Sequence, residues 1–152
     1  MSPMRTIITR LSLCALLVGG LAFAQKQAIV PKESEAPSNA PKLPFSPGIL
    51  VGKTLYVSGQ TGRDPKTGQI PSDFESEVKS ALENAGAVLK AAGYDFKDAA
   101  AVQVYLTDMD MFQRMNAVYA TYFPEPRPTR TTVGVAKLAG TAHVEITITA
   151  AK

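Results

Sequence analysis

The pattern of apolar and polar residues divides the chain into helices and strands. Apolar residues recur every three to four positions over 74–92 and again over 112–122, which predicts two amphipathic helices. Short apolar or alternating runs predict five strands, at 48–51, 54–60, 99–107 and two within 127–151. The order ββ-α-β-α-ββ predicts an α+β fold in which one mixed sheet carries both helices on one face.

Turn and capping residues set the expected boundaries of these elements. Ser72 stands three residues before Glu75, a capping-box spacing that predicts the start of the first helix. Gly93 follows its apolar stripe and predicts its end, and Asp108 can cap the second helix. Gly52 begins a Gly-Lys-Thr sequence that enters a strand instead of a helix, which favours a hairpin turn over a phosphate-binding loop.

The sheet face away from the helices has an intermediate polarity. In the last predicted strand apolar residues alternate with polar ones, and the polar set is His143, Glu145, Thr147 and Thr149. The middle strand adds Gln103, Tyr105 and Thr107 to this same face. Such a face is too apolar for plain contact with solvent and too polar for a core, so we expect it to pack on another subunit.

The N-terminal residues have the character of an export signal. Arg5 and Arg10 precede the apolar stretch 11–24, which is short, is broken by glycine and ends in Ala-Phe-Ala. This pattern predicts a secretory signal peptide over 1–24, cleaved after Ala24, and a periplasmic or secreted protein with no membrane association after cleavage. The alternative is an uncleaved N-terminal anchor.

The remaining chain is predicted to hold a tether and one domain. Residues 25–42 are rich in Pro, Ser, Lys and Glu without apolar periodicity, which predicts a disordered linker. Residues 43–152 then form a single domain large enough for one core. Cys14, the only cysteine, lies in the predicted leader, so the mature chain would have no thiol.

Composition excludes several classes of function. The full chain has a formal charge of +3, and loss of 1–24 would leave 14 basic and 13 acidic side chains, about +1. A charge this small does not favour nucleic-acid binding, which depends on a clustered positive excess. With one histidine and no thiol outside the leader, the sequence does not provide the usual ligands of a zinc or copper site.

The candidate chemistry lies in the two last predicted strands, which we expect to be neighbours in the sheet. Arg130 enters the first of them, and its planar guanidinium can bind a carboxylate through two hydrogen bonds. Glu145 stands between apolar residues in the second, where it can orient a water or move a proton. The alternatives are a surface arginine and a structural ion pair of Glu145 with Arg130 or a lysine. His143, the only histidine, fits a partly buried polar residue better than a titrating one.

Several motifs occur together in the order and spacing of a known family. They are VSGQ at 57–60, PKTG at 65–68, MNAVYATYF at 115–123, RPTRTTVGVAKL at 127–138 and HVEITITA at 143–150. Over about residues 40–151 the chain resembles the Rid/YjgF family, the reactive intermediate deaminases, also called the endoribonuclease L-PSP family.

The resemblance implies a homotrimer of a chorismate-mutase-like α+β fold, with binding clefts between subunits. Family members of this kind hydrolyse small 2-imino and 2-enamine acids to 2-oxo acids and ammonia, without cofactor or metal. By the same resemblance Arg130 holds the substrate carboxylate and Glu145 positions the attacking water. Ser58, Gly59 and Asn116 match pocket positions.

Two positions depart from the family pattern. Phe45 stands where many members have a tyrosine, and Thr132 replaces a common cysteine; both match positions of the substrate pocket. Loss of the tyrosine hydroxyl keeps open the alternative of a trimer that binds a 2-oxo acid without turning it over. A ribonuclease activity, attached to some relatives, is less favoured by the small net charge and the predicted export.

Overall fold

The computed structural model describes residues 25–32 and 43–152, and the predicted leader lies outside the described residues. Within them the chain forms six strands and two α-helices. The strands are β1 Lys26–Ile29, β2 Gly48–Val51, β3 Thr54–Thr61, β4 Ala99–Leu106, β5 Thr129–Gly134 and β6 Val144–Ala151. The helices are α1 Phe74–Ala91 and α2 Phe112–Tyr119.

One mixed sheet contains all six strands in the order β1-β2-β3-β6-β4-β5. The last strand of the chain enters the middle of the sheet and pairs antiparallel with both β3 and β4. The pairing of β4 with β5 is parallel, because α2 carries the chain back to the same end of the sheet before β5 begins. Both helices pack on one face, which confirms the predicted α+β architecture.

The core lies between the sheet and the two helices. On β6 the residues Val144, Ile146 and Ile148 are at most 1% exposed, as the alternating pattern predicts. Leu82 and Leu89 of α1 are fully buried against this face. Each such side chain contributes about 1.5–3 kcal/mol to folding.

Helix α1 begins one residue later than the capping pattern predicts. Asp73 is the N-cap, with an extended backbone, and its carboxylate accepts a hydrogen bond from the Ser76 N–H at 2.9 Å. The expectation that Ser72 caps the helix was therefore wrong, because the carboxylate one residue on is better placed to reach the free N–H groups. The predicted end is confirmed: Gly93 has φ +77°, the left-handed conformation that closes a helix.

Helix α2 begins through one turn of 3-10 helix, Met109–Met111. Asp108 caps this turn by accepting the N–H of Asp110 at 2.9 Å, whereas α2 itself begins after Met111 without a side-chain cap, so the predicted cap acts on the turn that leads into the helix. Among the described residues, no helix combines the length and apolar character needed to cross a membrane.

The expectation of a disordered linker over 25–42 is wrong for its first part. Residues 26–29 form β1, which pairs antiparallel with β2, and Ile29 is only 6% exposed. The pairing satisfies backbone groups that β2 would otherwise present at the sheet edge, and a single buried isoleucine anchors it. Residues 33–42 lie outside the described part of the chain.

Candidate active site

A bulge in β3 brings Gly59 against the carboxylate of Glu145. The register of β3 on β6 shifts between Val57 and Gln60, which inserts one extra residue into β3 at Ser58–Gly59. A Cβ built on Gly59 would overlap the Glu145 carboxylate and lie 2.7 Å from its Cδ. The carboxylate therefore occupies space that only glycine leaves free at this position.

Glu145 lies on the open face of the sheet, the face that carries no helix. Its neighbours in the strand register are Thr61 on β3 and Tyr105 on β4, and its side chain is partly buried. Among the described residues we find no salt bridge and no hydrogen bond to its carboxylate, so the predicted alternative of a structural ion pair is not observed there. The carboxylate is available to a water or a ligand.

Ser58 fixes the segment that forms the wall beside Gly59. Its hydroxyl donates to the carbonyl of Ser46 at 2.7 Å, and its N–H donates to the carbonyl of Pro47 at 2.9 Å. Phe45, which is 57% exposed, thereby lines the same surface hollow as Gly59. This hollow has a volume of about 460 Å³. The hydroxyl of Ser58 is thus engaged in holding this wall. We call the surface formed by Phe45, Gly59 and Glu145 the glutamate half-site.

Arg130 lies on the other side of the sheet. It stands opposite Val102 in the parallel register, and Val102 is buried beneath the helices. The guanidinium stacks over the ring of Tyr119 at 4.6 Å and near that of Phe112 at 5.5 Å. These cation–π contacts orient the guanidinium without occupying its donors, and Arg130 has no salt bridge to any described residue.

Asn116 and Arg130 line one hollow of about 400 Å³ between α2 and the start of β5. Three polar atoms in this region are buried without a hydrogen-bond partner in the described residues: Asn116 Oδ1, Tyr119 Oη and Thr132 Oγ1. Burial raises the pKa of Tyr119, and the positive charges of Arg130 and Arg127 oppose that rise. We call the surface of Asn116, Tyr119, Arg130 and Thr132 the arginine half-site.

The two half-sites belong to opposite faces of the sheet. We expected Arg130 and Glu145 on neighbouring strands, but β4 lies between β5 and β6, so this expectation was wrong. The physical reason is that β5 pairs in parallel with β4 and takes the sheet edge, while β6 fills the gap between β3 and β4. A single chain therefore does not bring the guanidinium and the carboxylate into one pocket.

The chemistry of these surfaces is that of one guanidinium and one carboxylate. The guanidinium can bind a carboxylate through two hydrogen bonds, and a free glutamate can accept and return a proton. Within residues 25–32 and 43–152 no three His, Cys, Asp or Glu side chains lie close enough to hold a metal ion.

Sequence reasoning missed one ionisable residue of the region, Glu77. This glutamate of α1 is 1% exposed and accepts hydrogen bonds from the backbone N–H groups of His143 and Val144 at 2.6 and 3.3 Å. The imidazole Nδ1 of His143 lies 2.9 Å from the same carboxylate, and its side chain is 61% exposed. The sequence contained a sign that Glu77 is buried, because it lies between Phe74 and Ala81 on the apolar stripe of the helix.

Sequence comparison finds known proteins that are similar to this chain over most of its length. The sequence pattern of the family described as endoribonuclease L-PSP matches residues 34–152. A RutC family protein of Pyrococcus horikoshii is 44% identical over 118 residues, which cover 76% of this chain and 94% of that protein. The 2-iminobutanoate/2-iminopropanoate deaminase of Mus musculus is 43% identical over 104 residues, which cover 68% of this chain and 77% of the mouse protein.

Solved structures share the fold. TdcF of E. coli, crystallised with bound serine, superposes with a TM-score of 0.74 at 31% identity, covering 83% of this chain and 98% of that one. RidA from an Antarctic Psychrobacter gives a TM-score of 0.75 at 32% identity, with coverage of 83% and 99%. Fold and site together define an α+β protein with a candidate binding surface on each side of one mixed sheet. The chain belongs to the endoribonuclease L-PSP family, the Rid/YjgF family that its motifs resemble.

Proposed function

We propose that the protein is a hydrolytic deaminase of small 2-imino and 2-enamine acids, with its active site formed between two copies of the chain in a homotrimer. The observation that carries this proposal is the separation of Arg130 and Glu145 on opposite faces of one sheet, each without a salt bridge to any residue that the structure describes. A second copy that presents its arginine half-site to the glutamate half-site of the first would complete one pocket. The exposed edge strand β5 and the semi-polar open face are the surfaces suited to such contact.

The substrate class follows from the groups available. Arg130 would hold the carboxylate of the imino acid, as a bidentate partner. Glu145 would take a proton from a water as that water adds to the C=N carbon and would pass it to the nitrogen, which gives the carbinolamine. It would then move the proton of the new hydroxyl to the nitrogen as the C=O bond forms, the C–N bond breaks and ammonia leaves. Positioned acid–base catalysis of this kind contributes about 10²–10⁴-fold. The mammalian relatives named as deaminases and the TdcF structure with serine, a small α-amino acid, support this choice of substrate.

The activity is tested by generating imino acids in place with an amino-acid oxidase. We expect the protein to accelerate the release of ammonia and 2-oxo acid over buffer, and Arg130→Ala and Glu145→Ala to remove the acceleration. Unchanged release with several amino acids would refute the proposal.

The shared site is tested by mixing the two inactive variants. Co-refolding equal amounts of Arg130→Ala and Glu145→Ala chains should restore about a quarter of the wild-type sites, because random pairing places an intact arginine against an intact glutamate in that share of interfaces. If both residues served one site from the same chain, the mixture would stay inactive. Each variant refolded alone is the matched control.

A second candidate is a trimer that binds a 2-oxo acid without turnover. Phe45, on the wall beside Gly59, provides no hydroxyl to the pocket, and this observation favours the alternative. Calorimetry with pyruvate or 2-oxobutyrate separates the two functions: binding without deamination would establish the second. A ribonuclease activity is less favoured, and it would require RNA cleavage that is lost in Arg130→Ala.

A further inference from the structure

Glu77 of α1 is the polar residue buried most deeply among the described residues, and the proposed mechanism does not use it. It is 1% exposed, and a carboxylate in such a place needs several hydrogen-bond donors. Its Oε1 accepts the N–H groups of His143 and Val144, and its Oε2 contacts the His143 ring. His143 and Val144 are the two residues immediately before Glu145, so the two backbone hydrogen bonds hold the start of β6 next to the proposed catalytic carboxylate.

The same turn of α1 also contacts β3. Gly62 follows the end of β3 and packs so closely on Glu77 that an added Cβ would lie 2.6 Å from the Glu77 Cγ. Two turns further along the helix, Asn84 donates to the carbonyls of Thr61 and Arg63 at 2.9 and 2.8 Å. Since Thr61 pairs with Glu145, α1 holds both the strand that carries the proposed catalytic carboxylate, β6, and the strand beside it, β3.

We propose that Glu77 is a positioning residue for Glu145, an inference that rests on the deaminase function proposed above. By accepting hydrogen bonds from two backbone N–H groups, Glu77 fixes the position of β6 relative to β3. It thereby fixes the position of the Glu145 carboxylate against Gly59. Arg130, which binds the substrate carboxylate in this scheme, lies on the far side of β4 and is not part of these contacts. Loss of Glu77 should therefore lower kcat and leave KM nearly unchanged.

The experiment compares three substitutions in the full chain. Glu77→Met has nearly the same length but no acceptor, so we expect kcat to fall by about 10- to 100-fold, the effect of misplacing a catalytic group by a fraction of an ångström to one ångström. Glu77→Gln retains an acceptor oxygen and should keep kcat within about threefold of wild type, since its hydrogen bonds to the backbone persist. His143→Ala keeps both backbone N–H groups and serves as the matched control, with kcat near wild type.

Two outcomes would overturn the proposal. One is a folded Glu77→Met protein with wild-type kcat; the other is a rise in KM that accounts for the whole loss of kcat/KM. Should Glu77→Met not fold, Glu77→Asp withdraws the carboxylate by one methylene, and the same criteria apply to it.

Amide hydrogen exchange separates this proposal from the deaminase function itself. Faster exchange at Glu145 and Ile146 in Glu77→Met or Glu77→Asp than in wild type would support positioning even if the wild-type protein deaminated no imino acid. Unchanged exchange at both amides would refute it whatever the activity. Absence of deamination by the wild-type chain would refute only the proposed function.

Discussion

Replacing Gly59 by alanine is the sharpest test of the glutamate half-site. The added Cβ would lie 2.7 Å from Cδ and 3.1 Å from Cγ of Glu145, and would overlap the carboxylate itself. Carbon atoms in contact prefer about 3.5–4.0 Å, so the carboxylate has to retreat by about 1 Å. Since the colliding atoms are the far end of a flexible side chain, the strand itself can stay in place.

This retreat predicts a separation of activity from stability. A displacement of about 1 Å of a catalytic group can cost on the order of 10²-fold, so we expect kcat of Gly59→Ala to fall toward that of Glu145→Ala. KM should change little, because Arg130 is on the other half-site, and the thermal midpoint should stay close to that of wild type. The assay is the oxidase-coupled release of 2-oxo acid, with thermal unfolding measured on the same samples.

A second glycine supplies the control. Gly86 lies within α1, and its added Cβ would meet only the edge of the Phe96 ring, at 3.0 Å. Gly86→Ala should therefore retain wild-type kcat. Wild-type kcat in a folded Gly59→Ala protein would refute the placement of Glu145 at the reacting centre, as would an equal loss of activity in both variants.

Four further predictions concern other parts of the chain. Arg130→Lys keeps the charge but loses the bidentate fork, so KM should rise by about 10- to 100-fold in steady-state kinetics while the fold persists. Ser58→Ala removes one of the two hydrogen bonds that hold the segment 43–47, the one from the hydroxyl, and should cost about 0.5–1.5 kcal/mol in denaturant unfolding. Asp73→Ala removes the N-cap of α1 and should lower the thermal midpoint at neutral pH. Hydrogen bonds from Ser76 hold the pKa of Asp73 below its ordinary 3.8, so the charged carboxylate stabilises the folded protein fully above pH 3.8. As the pH falls through the lowered pKa, the carboxylate is protonated, and the difference in thermal midpoint between wild type and Asp73→Ala should shrink. Expression in a bacterial host, followed by mass measurement of the exported protein, should show cleavage after Ala24; an intact N-terminus would contradict the predicted leader.

Much of the fold was predictable because its signals are local. The stripe of α1, the left-handed Gly93 and the alternation in β6 each depend on residues close together in the chain, and each is confirmed. The strand β1 was missed because a short segment rich in polar residues has no period of its own. This strand is ordered because it pairs with the free edge of β2 and buries one isoleucine, and neither feature can be recognised from a few neighbouring residues.

The candidate residues of the site can be chosen from the sequence, but their arrangement cannot. The sequence predicts that Arg130 and Glu145 carry the chemistry, and the structure leaves both without a salt bridge among the described residues. Their placement on opposite faces depends on β6 entering between β3 and β4, a long-range pairing that hydrophobic periodicity does not encode. The bulge at Ser58–Gly59 is equally non-local, since it exists only in the register of one strand against another.

The separation of the two charges has a consequence for how such a site is controlled. A guanidinium and a carboxylate in one dry pocket of one chain would neutralise each other as an ion pair, and substrate would have to compete with that pair. On opposite faces they do not contact each other within the chain, and the cation–π contact with Tyr119 orients Arg130 without using its hydrogen-bond donors. Assembly would then bring the two groups together across a gap, and a small carboxylate with a reactive nitrogen could fill it. Activity should therefore depend on protein concentration as the oligomer dissociates, and a specific activity that stays constant through dissociation would show that one chain is sufficient.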